Sequence, residues 1–232
     1  GCSRRQRQMC IRDSYNIDDL RLLAKKRVPR AVFDYADGAA EDELTKDNNR
    51  NAFKKWKFIP DVLVDVAEVD TQTKVLGTEM PYPFALGPTA ISYLFHHSGE
   101  PAVARAASER NFPSTLSSIA STNIEDYADA SDCSVWYQMY VWKNREISND
   151  FIKRCKEKNY KAIMLTVDVP VGGKRERDLR SGMTIPPRLT LSSIIDAAFH
   201  PSWWWNFIFG PKIKFANVKE RFMGKNLSLI HI

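Results

Sequence analysis

The side chains best suited to chemistry gather just past one apolar run. Ile163 to Val167 carries no charge, and such a run reads as a strand covered on both faces, as in a parallel sheet. Asp168 ends it, Pro170 forbids further ladder pairing, and Gly172-Gly173 loosens the backbone. The charge cluster Lys174-Arg175-Glu176-Arg177-Asp178 follows. A buried strand opening into a glycine-rich, charged loop is how α/β enzymes present catalytic groups at strand C-termini. A buried strand followed by an ordinary solvated loop explains the same residues, so this stretch alone leaves both readings open. Asp168 reads as a structural carboxylate at a strand end rather than a general base.

Other reactive types are scattered. His96 and His97 sit at a helix entrance with no second ligand in sequence, and the four cysteines have no metal-ligand spacing with the four histidines, so no metal site is expected. The cysteines also show no close pairing, which points to a reducing, cytoplasmic compartment. Taken one at a time, Tyr35 and Tyr140 read as core aromatics and Gln138 as a buried, satisfied amide. Ser117 and Thr166 read as strand residues, and Arg175 as a solvated charge. The net charge of +6 leans on the first residues, where Arg4, Arg5, Arg7 and Arg12 face only Asp13. The remainder is mildly basic, which argues against a nucleic-acid partner.

The elements that must position these groups begin at Asn16. Asn16 caps a helix with Asp18 and Asp19 at its positive end and Lys25, Lys26 and Arg27 at the other. A second helix runs from Pro29 to Asp37 and stops at Gly38, and a third is expected from Ala40. Thr73–Leu76 and Glu79–Met80 suggest a hairpin around Gly77-Thr78. Strands then alternate with helices: strands at 84–86, 115–118, 135–141 and 163–167, helices at 101–110, 123–130 and 145–158. Strict alternation implies βαβ units and a parallel sheet. A closed (β/α)8 barrel needs about 250 residues. Only about 150 run from Phe84 to Ile232, so a barrel would be half present.

Several motifs, in order, resemble the FMN-dependent α-hydroxy-acid dehydrogenases and oxidases, a family that includes flavin L-lactate dehydrogenase, glycolate oxidase and mandelate dehydrogenase. They are FDYADGAAED at 33–42, NRNAF at 49–53, GPTA at 87–90, ARAAS at 104–108, TLSS at 115–118, YQMYV at 137–141 and LTVDVP at 165–170. Each is weak alone, and the ordered series is specific. The resemblance implies a (β/α)8 TIM barrel, truncated here to an N-terminal helical cap plus about four βα units. Residues 15–226 would be the N-terminal part of one FMN-dependent domain, and 1–14 and 227–232 non-native tails. The proton-abstracting histidine, an FMN-contacting lysine, a substrate arginine and the phosphate loops would lie in the missing half, leaving this piece inactive alone.

By the same resemblance, Thr89, Ala90, Ser117, Gln138 and Thr166 contact FMN, while Tyr35, Tyr140 and Arg175 bind the substrate carboxylate, Tyr140 within the catalytic site. The reaction implied is oxidation of a small L-2-hydroxy acid, lactate-like, with electrons passing through FMN to a quinone, a cytochrome or oxygen. A homo-oligomer is expected of the complete enzyme. Residues 186–215 hold Trp203, Trp204, Trp205, Phe207, Ile208 and Phe209 beside Lys212 and Lys214. They are too short and interrupted to span a bilayer but suit its interface, and the membrane-bound relatives carry an anchoring segment here. Packing on the barrel or on another subunit explains the same aromatics. Two other classes stay open: a flavin-free TIM-barrel enzyme, and a non-catalytic peripheral-membrane or interaction fragment.

Overall fold

The computed structural model describes residues 14–168, 172–183 and 190–218. The expected tail at 227–232 and most of that at 1–14 lie outside the described residues, as do 186–189 of the aromatic segment. The chain divides into two compact units, Gly1–Trp56 with Gly173–Phe209, and Lys57–Gly172 with Gly210–Ile232.

The first unit is helical. Helix α1 (Ile17–Arg27) starts where the Asn16 side chain accepts the Asp19 N–H at 2.8 Å, satisfying one of the donors that a helix N-terminus leaves free. Helix α2 (Arg30–Asp37) buries Val32 and Phe33 and packs against α7 (Glu176–Ser181) and α8 (Leu191–Ala198). Helix α3 (Leu44–Ala52) begins four residues later than its acidic run suggested. Glu41 and Glu43 have positive φ and form the turn before it, where the Glu43 carboxylate accepts the Ala39 N–H at 3.2 Å. Thr190 and Ser193 form a reciprocal capping box at the start of α8, and α9 spans Pro201–Phe209 with proline at its first position. Gly173 does more than loosen the chain: a Cβ there would lie 2.6 Å from the Ala40 Cβ, at the point where the Glu41 N–H donates to the Lys174 carbonyl.

The second unit holds the sheets. Strands β1 (Thr73–Val75) and β2 (Thr78–Met80) form the hairpin, turning at Leu76-Gly77. Strands β3 (Ser114–Ser117), β4 (Val135–Met139) and β5 (Ala162–Leu165) are parallel in the order β3-β4-β5, with α4 (Gly99–Ser108), α5 (Ile124–Asp129) and α6 (Arg145–Glu157) between the sheet elements. The strand expected at 84–86 contributes a single parallel bridge, Leu86 to Ser114, because Pro81, Pro83 and Pro88 around it cannot donate to a ladder. Helix α6 turns Ile147, Phe151 and Cys155 inward. The Phe151 ring meets the Tyr137 ring edge-on at 5.7 Å. One expectation is reversed: β5 is not covered on both faces. Ile163, Met164 and Leu165 are 41–50 % exposed; among the described residues β5 pairs with β4 alone and no further strand follows it in this sheet.

Candidate functional site

The parallel register sets up a polar row at one end of the sheet. Ser117 lies opposite Gln138, and Gln138 opposite Met164. Thr166, two residues beyond Met164, therefore shares its face. The Gln138 side chain bridges both neighbours: its Oε1 accepts from the Ser117 hydroxyl at 3.0 Å and the Ser118 N–H at 3.3 Å, and its Nε2 donates to Thr166 Oγ1 at 2.6 Å. Ser117 and Gln138 are buried. The Thr166 N–H donates to the Met139 carbonyl at 3.1 Å, which holds the chain past β5 in line. So three residues singled out by sequence come together at the C-terminal ends of adjacent parallel strands, where this fold class places its ligands.

Ser118 is a member that sequence reasoning passed over. Its N–H donates to the Gln138 carbonyl at 2.9 Å, and its hydroxyl accepts the Tyr140 N–H at 3.3 Å. Tyr140 is half-buried, and burial, helped by the charge of Asp168, raises its phenol pKa. It therefore stays protonated near neutrality and able to donate. Thr89 is exposed and Ala90 half-buried in the loop before a 3-10 turn at Ser92–Leu94. The Thr89 and Ser92 hydroxyls are 3.5 Å apart.

Tyr35 and Arg175, 140 residues apart, meet in the helical unit. The Arg175 Nη2 donates to the Tyr35 carbonyl at 2.5 Å, and the guanidinium lies 5.4 Å from the Tyr35 ring centroid. Its Nε donates to Asp178 at 2.6 Å. Next to it, Arg177 joins Asp37 at 2.9 Å and Glu43 at 2.6 Å. Arg21 also pairs with Asp37, and Lys46 reaches Glu43 at 2.5 Å. Arg21 first, then Arg177, hold the Asp37 carboxyl well below the usual range, and Lys46 first holds Glu43 down to about 2. Tyr140 belongs to the other unit.

Asn217 is a second residue without a sequence signal. Fully buried, it accepts the Ile124 N–H at 2.9 Å and donates to the Thr122 carbonyl at 3.2 Å. Its own carbonyl accepts from Arg154 at 3.1 Å. Its partners lie more than 60 residues earlier, beyond the reach of local pattern. No cluster of His, Cys, Asp and Glu among the described residues could hold a metal.

The chemistry of the polar row fits a flavin. With its oxygen already occupied, Gln138 keeps one amide proton, and Thr166, having accepted, keeps its hydroxyl proton to donate. An isoalloxazine edge offers carbonyls and ring nitrogens to such donors.

Polar groups gathered at the C-terminal ends of parallel strands are the arrangement by which α/β folds hold a cofactor. Residues 24–230 match the model of the FMN-dependent dehydrogenase family, and the chain belongs to that family. A Mycobacterium tuberculosis protein provisionally named L-lactate dehydrogenase is 43 % identical over 203 residues, covering 87 % of this chain and 49 % of that one. The (S)-mandelate dehydrogenase of Pseudomonas putida is 38 % identical over 194 residues, covering 84 % and 49 %. A crystal structure described as the monotopic membrane protein (S)-mandelate dehydrogenase superimposes with a TM-score of 0.85 at 36 % identity, over 91 % of this chain and 57 % of that one. These flavin enzymes are TIM barrels, and the helices and parallel sheet here accord with part of that α/β fold. The chain spans about half the length of the curated relatives it matches. No helix among the described residues is long and apolar enough to cross a membrane.

Proposed function

We propose that this chain supplies the flavin-edge and part of the substrate contacts of an enzyme that oxidises a small, lactate-like L-2-hydroxy acid to the 2-oxo acid, with a quinone, a cytochrome or oxygen as final acceptor. The observation that carries this reading is the Ser117–Gln138–Thr166 row. FMN, when bound, supplies the two-electron acceptor for the hydroxyl-bearing carbon. Ser117, Gln138 and Thr166 orient the ring edge, and Thr89 and Ala90 approach it from their loop. The Tyr140 hydroxyl is assigned to the substrate carboxylate; in the helical unit, the planar fork of Arg175, beside Tyr35, suits such an anion. No residue of this chain is assigned the removal of the substrate's proton. Exposed Ile163, Met164 and Leu165 support the further reading that residues 1–232 alone hold FMN weakly and turn over no substrate.

The test grafts residues 15–226 in place of the matching part of Pseudomonas putida (S)-mandelate dehydrogenase. A yellow protein that reduces dye with a 2-hydroxy acid is expected. Tyr140→Phe in that protein should raise KM by about tenfold or more, the equivalent of roughly 1.5–3 kcal/mol for a hydrogen bond to a charged group, with flavin content constant. A folded chimera without flavin, or unchanged kinetics in Tyr140→Phe, would refute the assignment.

We also infer that residues 186–215 dock the enzyme on a membrane surface. On α9, Trp205, Phe207, Ile208 and Phe209 are exposed, and on α8 so are Leu191, Ile194 and Ile195. Trp203 stacks on Phe207 at 4.9 Å and Trp205 tilts on Phe209 at 4.5 Å; the two pairs fall on opposite sides of α9, so apolar rings surround most of this short helix. Such rings suit the headgroup layer, and Lys212 and Lys214, both exposed, would add about 1 kcal/mol each near anionic lipid. The full chain should float with vesicles containing phosphatidylserine, and replacing Trp203, Trp204 and Trp205 with serine should abolish flotation. Equal flotation of the variant makes these tryptophans packing residues.

A further inference from the structure

Glu100, the second residue of α4, is a buried carboxylate at 3 % exposure that collects donors from two separate loops. Its Oε1 accepts the Ser92 N–H and the Ser121 N–H, each at 3.0 Å, and its Oε2 accepts the Thr122 hydroxyl at 2.8 Å. Ser92 follows Thr89 and Ala90 in the loop 87–94. Ser121 and Thr122 belong to the loop 118–123, which begins directly after Ser117. A buried anion normally needs an opposite charge or several hydrogen bonds, and here the bonds come from two loops that are otherwise separate in sequence.

The backbone around Glu100 is tightly constrained. Ile91, immediately before Ser92, has φ +54°, an unfavourable value for a β-branched residue that persists only where the surroundings fix it. Gly99, at φ +47°, leaves no room for a Cβ, which would overlap the Tyr93 ring. The Tyr93 hydroxyl in turn lies 3.4 Å from that of Thr122. The loop 87–94 is thus strained next to Thr89 and Ala90, and Glu100 grips the residue that follows the strain.

We propose that Glu100 is a positioning residue for the flavin site: it clasps loops 87–94 and 118–123 into one unit, so that Thr89, Ala90 and Ser117 keep a fixed spacing. The assignment to flavin rests on the reading under Proposed function. The role is geometric. A glutamine could accept both N–H groups on its oxygen and donate to Thr122, whose hydroxyl also accepts. An alanine takes this acceptor from the buried Ser121 N–H and the half-buried Ser92 N–H, and leaves the Thr122 hydroxyl only the longer contact to Tyr93.

Hydrogen–deuterium exchange of the purified full chain, wild type against E100A and E100Q, reads the clasp directly. In E100A, exchange should rise about tenfold in both loops together, while α6 exchanges as in wild type; E100Q should restore both loops. FMN titration by quenching of flavin fluorescence should weaken about tenfold in E100A and return in E100Q. If E100A does not fold, Thr122→Val removes one donor and keeps the carboxylate, and the same paired change should appear at smaller size. Wild-type protection of both loops in E100A, or loss in only one, overturns the proposal. So does loss in both with FMN affinity unchanged. Should the wild-type chain bind too little FMN to titrate, the same titration is run on the mandelate dehydrogenase chimera, where a folded protein without flavin refutes the flavin reading and the exchange pattern alone decides whether Glu100 clasps the loops.

Discussion

The two units hold their arginines by bonds of similar length in opposite surroundings. In the sheet unit, Arg154 is buried. It pairs with Glu125 at 2.7 and 2.6 Å, approaches Asp150 at 3.5 Å and caps the Asn217 carbonyl. In the helical unit, Arg21 and Arg177 meet Asp34, Asp37 and Glu43 with 46 % and 33 % of their own side chains exposed. Distance does not separate the two clusters; access to water does. Removing a buried partner strands polar groups that cannot find water, while a surface group exchanges one partner for solvent. The first cluster therefore carries stability and position, and the second carries pH and salt dependence.

The largest effect belongs to Arg154→Ala. Glu125, partly exposed, can turn to water, while the buried Asn217 carbonyl loses the guanidinium donor and Asp150, at 10 % side-chain exposure, loses one of its partners. A loss of about 2–4 kcal/mol is expected in urea unfolding of the full chain. Arg21→Ala should cost clearly less, because its guanidinium is open to solvent. Equal losses would mean that exposure is not what distinguishes the clusters.

Gln138→Leu comes next. Leucine fills a similar volume but strips the Ser117 hydroxyl and Thr166 of their shared partner, while the Ser118 N–H keeps the Gln138 main-chain carbonyl. The expected cost is about 1–3 kcal/mol, with weaker binding in an FMN titration. A stable variant with unchanged FMN affinity would remove the polar row from the site and leave it as packing.

How much of this was legible in the sequence follows from the range of each interaction. The Asn16 cap rests on neighbours a few residues apart and the parallel sheet on the alternation of strand and helix, and both are found. The later start of α3 was missed because Glu43 serves a turn, bonded to the Ala39 N–H, rather than a first helical turn. The exposure of β5 was missed because an apolar run fixes what a strand prefers, not what the chain supplies to cover it. Ser117, Gln138 and Thr166 were picked out by family resemblance, while their mutual hydrogen bonds follow from register. Glu100 and Asn217 gave no local sign, since each acts on loops well removed from it along the chain.

The smallest effect is the most diagnostic of the surface cluster. Asp37 and Glu43 have depressed pKa values in the folded chain. A depressed carboxyl contributes stability above its unfolded value, near pH 4, and loses that contribution as the pH falls through the folded value. Arg177 serves both carboxylates. Arg177→Gln should therefore lower the melting temperature at pH 7 by an amount equivalent to less than about 1 kcal/mol, because the pairs are partly solvated. The gap between wild type and variant should close as the pH falls from about 5 toward about 2, and should also shrink at pH 7 in high salt. A gap that stays constant through the acid range would show that Arg177 acts through the packing of its stem against α2 and not through its charge.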